Sequence, residues 1–358
     1  MKALRLYAGA AARRHIESHG LTPEAVRVVA GAAGGPKGLI LSHLDRHIFG
    51  RWLPQSTHTV HLLGASIGAW RMATGMLDDA QHRFATLAHR YIHQSYDVPP
   101  GRSVPTAQEV SRVFAQELRG FFSGCIEALV SHPRYRLHIV VSRGRHVLRR
   151  EGRVRTPLGY LGAALSNAVS RQALGLWLER VLFSASGEAL PLDLSDLPHR
   201  RVLLDARNFE SALLASCSIP FVLQAVHDIP GAPPGAYWDG GITDYHLHWN
   251  YTSMGEGLVL YPHFQNTIVP GWLDKPWRQR HRATRALDNV LVLAPDPAWV
   301  ASLPQAKLPD RTDFKRYGRD IQARVRAWQA AVDESERLAE EWVRWLDEGT
   351  PAAELQPL

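Results

Sequence analysis

The sequence predicts an α/β fold, a three-layer α/β/α sandwich around a central, mostly parallel sheet. Three observations lead there. Short β-branched runs alternate along the chain with stretches of helical period. Two of these runs pass directly through a glycine-bearing turn into a helix. Both read as continuous apolar segments more than as alternating ones, the pattern of strands covered on both faces.

Taken in order, residues 10–19 read as a helix stopped by Gly20, and Thr22-Pro23-Glu24 opens a short helix with proline at its first position. Residues 26–30 are a strand that ends in Gly31. The loop Ala32-Ala33-Gly34-Gly35-Pro36-Lys37-Gly38 follows, and from Leu39 the apolar Leu41, Leu44 and Ile48 keep a helical period. The second unit is a strand at 59–63, a turn at 64–68 and a helix at 69–77. Further strands are predicted at 137–141, 201–204, 257–261 and 290–293, with helices at 80–95, 106–131, 159–182 and 208–217. Residues 225–285, rich in Pro, Gly, Trp and His, are expected to form long loops around an active-site mouth.

Near the end, Ile321, Val325, Trp328, Val332, Ser335, Ala339, Trp342 and Leu346 form one stripe at steps of four and three. This predicts a long C-terminal helix packed on the main domain, with a dimer seam or a lipid-facing element as the alternatives. The expected organisation is a catalytic domain over 1–300 and a helical extension over 310–348.

At 358 residues and 45% hydrophobic, the chain can bury a large core. A net charge of +7 is compatible with anionic lipid or nucleic acid and selects neither. No nucleic-acid module accompanies it, so no nucleic-acid partner is expected. Cys125 and Cys217 are too few for a disulfide framework or a thiolate metal cage, and both read as buried thiols. The start of the sequence is not expected to be a signal peptide, and no run of 18 apolar residues is present. The protein is read as cytoplasmic, with peripheral membrane contact as an open alternative. For the latter, Trp272, Lys275, Trp277, Arg278, Arg280 and Arg282 form an aromatic-basic cluster suited to a headgroup layer, or a solvated basic loop. His82, His89 and His93 share a helical face but lack metalloprotease spacing, and no metal or cofactor is expected.

The chemistry centres on Gly64-Ala65-Ser66-Ile67-Gly68, a G-x-S-x-G that follows a strand and opens a helix. In that context the serine sits on a sharp turn, its hydroxyl exposed near the positive end of the helix. The Ile67 N–H points where a tetrahedral oxyanion forms. The loop ending the first strand offers uncovered amides. Pro36 has none, which leaves Gly34 and Gly35 to join Ile67 as oxyanion donors. Lys37 either supports this loop by charge or faces solvent. The loop is neither a P-loop nor a dinucleotide fingerprint. A base must take the serine proton. His227, His246, His248 and His263 would suit a triad, and Asp239, in Tyr237-Trp238-Asp239-Gly240-Gly241, would act directly if it reached the hydroxyl.

Four blocks in order resemble the patatin-like family of lipid acyl hydrolases: Ala33-Gly34-Gly35-Pro36-Lys37-Gly38, Gly64-Ala65-Ser66-Ile67-Gly68, Ala215-Ser216-Cys217-Ser218-Ile219-Pro220 and Asp239-Gly240-Gly241. The resemblance implies a Ser66–Asp239 dyad with no catalytic histidine, the sandwich fold, no metal, and hydrolysis of phospholipid, lysophospholipid or acylglycerol esters. The first block departs from the family: Ala32 stands at its aspartate, Ala33 at its first glycine, and proline at the variable position. Two other functions stay in view, an esterase or depolymerase for non-phospholipid esters and a catalytically silent binding module.

Overall fold

The computed structural model describes residues 1–99 and 104–358. It is an α/β protein whose centre is a large mixed, mostly parallel sheet. Among the described residues the strands are β1 (Leu4–Ala8), β2 (Val26–Gly31), β3 (Val60–Ala65), β4 (Tyr135–Gly144), β5 (Leu178–Ser184), β6 (His199–Leu203), β7 (Val226–His227), β8 (Ala236–Asp239), β9 (Leu258–Pro262), β10 (Val290–Pro295) and β11 (Leu355–Pro357). They lie in the order β11-β1-β10-β9-β2-β3-β4-β5-β6, with β8 pairing β4 and β7 pairing β8 off this path. The run β10-β9-β2-β3-β4 is parallel throughout, while β1 on β10 and β5 on β4 are antiparallel. Strands β3, β9 and β10 are buried at every residue, so both faces of the sheet are covered there, as their unbroken apolar sequences require.

Both predicted strand–loop–helix units form. Strands β2 and β3 pair in parallel from Val28↔His61 to Gly31↔Gly64, which places their two exit loops side by side. The first unit continues as tight turns over Gly35–Leu41 and a short helix over Ser42–His47, the second as a helix over Ile67–Thr74.

Several expectations need correction. The predicted helix at 159–182 is a helix over Arg155–Val169 followed by β5, because Leu178–Ser184 runs antiparallel to β4 and is buried along almost its whole length. The helix at 106–131 breaks into Ala107–Phe122 and Ile126–Val130, with Gly124 between them at φ 75°. Residues 225–285 are less loop-like than expected, since they contain β7, β8, a short helix over Gly241–Asp244, and β9. Cys217 is buried, but Cys125 is partly exposed.

The long C-terminal helix is two, Ile321–Glu334 and Glu336–Asp347. Fully buried Ser335 sits between them and turns its hydroxyl back to the Val332 carbonyl, and its own carbonyl accepts from Leu338 N–H in a three-residue step. The break re-phases the buried stripe, which continues through Leu338, Trp342 and Trp345. Trp342 packs edge-on against Trp52 at 5.6 Å and belongs to the main core. Truncating so large a buried ring costs roughly 3–5 kcal/mol.

Candidate active site

The sheet itself brings Ser66 and Asp239 together. Along β4, residues Tyr135 to Val140 pair with β3 as far as Ala65↔Val140. The next residue, Val141, pairs with Asp239, the last residue of β8. The other edge of β4 is occupied at this level by β5, so β3 and β8 share one edge and meet end to end. Two residues 173 apart in sequence thus face each other, and the Ser66 hydroxyl donates to Asp239 Oδ2 at 2.8 Å.

The turn at Ser66 takes the sharp form its sequence predicts. Ser66 lies at φ 55°, ψ −128°, a conformation that costs a non-glycine residue roughly 1–3 kcal/mol. The flanking glycines make the turn sterically feasible. A Cβ at Gly64 would lie 2.3 Å from Ala69 Cα, and one at Gly68 would lie 1.9 Å from the Gly31 carbonyl oxygen. The Ser66 amide donates to Ser216 Oγ at 2.9 Å, and that hydroxyl donates to the Val140 carbonyl at 2.7 Å. Behind the turn, the Ile67–Thr74 helix is anchored by a buried bidentate pair from Arg71 to Asp45, at 2.6 and 2.7 Å.

Asp239 is held as firmly. Its amide donates to the Ser218 carbonyl, the Gly240 amide donates to the Ser216 carbonyl, and its Oδ1 accepts the Gly241 N–H at 2.7 Å. The Gly241–Asp244 helix that follows ends in an ion cluster. Fully buried Arg180 on β5 grips Asp244 through two hydrogen bonds, at 2.8 and 2.6 Å, and reaches Asp196 as well. Burial opposes ionisation of Asp244, but the Arg180 charge and hydrogen bonds hold its carboxyl below the ordinary value. For Asp239 the balance is reversed. Burial raises its pKa from 3.8 to about 6, against the lowering effect of the Ser66 and Gly241 hydrogen bonds and of the Arg311 charge. A carboxylate in that range takes and returns protons near neutral pH.

None of the four candidate histidines bonds to Ser66 or Asp239 among the described residues, and three are engaged elsewhere. His246 Nδ1 bonds to Thr267 and Val269 backbone atoms, His263 Nδ1 accepts from Gln265 N–H, and exposed His227 accepts from Glu151 N–H. His248 makes no side-chain bond to either dyad residue among the described residues. Burial lowers the pKa of His246, His248 and His263, which keeps them neutral.

As first residues of their helical segments, Gly35 and Ile67 have N–H groups without intrahelical acceptors. Gly34 precedes them with its Cα against the Phe264 ring, where a Cβ would lie 2.4 Å away. Lys37 makes no ion pair among the described residues. Its ammonium sits 5.4 Å from the centroid of that same Phe264 ring, so its contact with the loop runs through an aromatic side chain, and burial lowers its pKa. Of the aromatic-basic cluster, Trp272 lies beside the dyad, Lys275 stands 4.0 Å over the Tyr245 ring, Arg280 is bound to Asp274, and Arg278 and Arg282 are exposed. His82, His89 and His93 are exposed on one helix, and no set of three or more metal-ligating side chains comes together among the described residues.

Two cavities meet at Ser66. The larger, about 570 Å³, is lined by Ser66, Ile67, Cys217, Phe114, Ile219 and Val222 among other mostly apolar residues. The smaller, about 20 Å³, is lined by Gly34, Gly35, Ser66, Asp239, Tyr245 and Trp272 and has room for a single water molecule. Arg311 borders both, and no carboxylate lies within ion-pair distance of it among the described residues. Ser216, Arg180, Asp244 and Arg311 carried no predicted role. Ser216 lies in a block that the sequence does single out, whereas Arg180 falls inside a segment that reads as helix. No family model matches the chain, and no curated protein matches it.

Proposed function

We propose that the protein is a serine acyl hydrolase that cleaves carboxylic esters of lipids through a Ser66–Asp239 dyad, and that it is a patatin-like lipid acyl hydrolase. The observation that carries this reading is the 2.8 Å hydrogen bond from the hydroxyl of a strained, strand-end serine to a buried carboxylate, at the floor of an apolar cavity of about 570 Å³.

In this reading the acyl chain lies in the large cavity. Ser66 Oγ attacks the ester carbonyl while its proton passes to Asp239. The oxyanion is met by Ile67 and Gly35 N–H groups, with Gly34 beside them. Asp239 returns the proton to the departing alkoxide, leaving Ser66 acylated. A water in the small cavity then gives a proton to Asp239 and attacks the acyl carbon, and Ser66 leaves with that proton. Both attacks need Asp239 ionised beforehand, which a pKa of about 6 permits at neutral pH. Lys37 supports the loop indirectly, through Phe264.

A chain-length series tests the substrate class. Activity that rises from short to long acyl esters and extends to phospholipid vesicles supports a lipid hydrolase. Activity confined to short soluble esters and absent on vesicles points instead to an esterase or depolymerase for smaller esters.

A further inference from the structure

The Arg155–Val169 helix is uncharged from Thr156 to Ser170. One face is built into the protein: Thr156, Gly159, Tyr160, Ala163 and Asn167 are buried, and Gly159 and Gly162 lie close on Leu148 and Trp177. The opposite face is apolar as well. Val154, Leu158, Leu161, Leu165 and Val169 recur at steps of four and three and are between 57% and 86% exposed. Leu176 prolongs the patch beyond the helix. An exposed apolar stripe of this length marks a surface that meets a partner.

Charge identifies the partner. Exposed Arg149, Arg153 and Arg155 precede or open the helix and make no ion pair among the described residues. Its C-terminal end adjoins the 274–282 segment, where Arg280 donates to the Asn167 carbonyl and Arg278 and Arg282 face outward. Between Arg145 and Arg171 the single acid, Glu151, bonds to the Ala225 amide. Apolar residues between two arginine rims match a lipid surface bearing negative headgroups. A second copy of the chain would bring like charges together at both rims. No helix among the described residues is long and apolar enough to cross a membrane, so the contact is one of lying on the surface.

From its buried face the same helix reaches the rim of the larger cavity. Tyr160 packs edge-on against Phe221 at 6.0 Å, and Phe221 and Val222, both exposed, line the cavity rim. Phe221 is held at φ 68°, an unfavourable backbone for so bulky a residue. We infer that the exposed face of the Arg155–Val169 helix, with its arginine rims, docks the protein on an anionic lipid surface. The docking is independent of the hydrolytic chemistry and does not rest on the proposed function.

Co-sedimentation of the full chain carrying Ser66→Ala, which leaves the vesicles intact, tests the docking. Vesicles of phosphatidylcholine with phosphatidylserine should bind it, and phosphatidylcholine alone should bind it much less. Adding Leu161→Glu and Leu165→Glu should weaken binding at least about tenfold, with the circular dichroism unchanged. In the Ser66-containing protein the same pair should leave hydrolysis of a short soluble ester unaltered. Equal binding with and without the pair would overturn the inference. So would a parent chain that ignores anionic vesicles, including one that elutes as a dimer and is made monomeric by the pair, since a second copy then covers the face. Loss of soluble-ester activity in the wild type would count against the hydrolase and leave the vesicle result standing.

Discussion

Ser216 accepts the Ser66 amide proton at 2.9 Å, while its own carbonyl accepts from Gly240, the residue after Asp239. One serine therefore ties the Ser66 backbone to that of Gly240, and its hydroxyl proton goes to Val140 where β3 and β8 meet.

Replacing Ser216 by alanine leaves the Ser66 amide and the Val140 carbonyl unpaired in a buried site. The dyad should loosen, with kcat falling roughly ten- to a hundredfold and KM changing little. Steady-state kinetics on a soluble ester, together with a thermal melt showing a folded protein, checks this.

In the proposed mechanism Asp239 accepts the serine proton and must be ionised to do so, and its pKa is raised to about 6. Activity should rise with pH through about 6 along a single-proton limb. The Arg311 charge favours the carboxylate, so Arg311→Ala should move that limb to higher pH. A limb unmoved by the substitution would detach Arg311 from the site's electrostatics.

The raised pKa also affects stability. Folding favours protonated Asp239, so its contribution is fully present below the unfolded value of 3.8 and is lost as pH rises through about 6. Asp239→Asn removes this titration. Its stability relative to wild type should improve between about pH 4 and pH 7, by on the order of 3 kcal/mol, while activity disappears. Urea melts across that range measure the difference.

Arg180 and Asp244 fix the helix after Asp239 from inside the core. Arg180→Leu leaves Asp244 buried without its main partner and should cost about 3–5 kcal/mol. Removing both charges together should recover part of that loss, which a double-mutant cycle reads directly.

Much of this architecture is legible in the sequence because its signals are local. The strand–turn–helix at Ser66 is marked by two glycines whose small size the packing requires, and Asp239-Gly240-Gly241 marks the second turn. What escapes is non-local. The convergence of β3 and β8 on one edge of β4 rests on pairings between strands far apart in the chain, and no spacing encodes it. Strand β5 reads as the tail of a helix because Leu178, Val181 and Leu182 stand at helical spacing, with the charged Glu179 and Arg180 between them. The C-terminal stripe runs on through Ser335 at helical steps, but the buried hydroxyl there bonds its own backbone and ends the helix.

The central claim is that Ser66 is a nucleophile activated by Asp239. A serine-reactive fluorophosphonate probe tests it most directly, with the labelled peptide identified by mass. The wild type should be labelled at Ser66, Ser66→Ala should not be labelled, and Asp239→Asn should be labelled far more slowly while remaining folded. A wild type that resists the probe, or labelling undiminished in Ser66→Ala, would contradict the account.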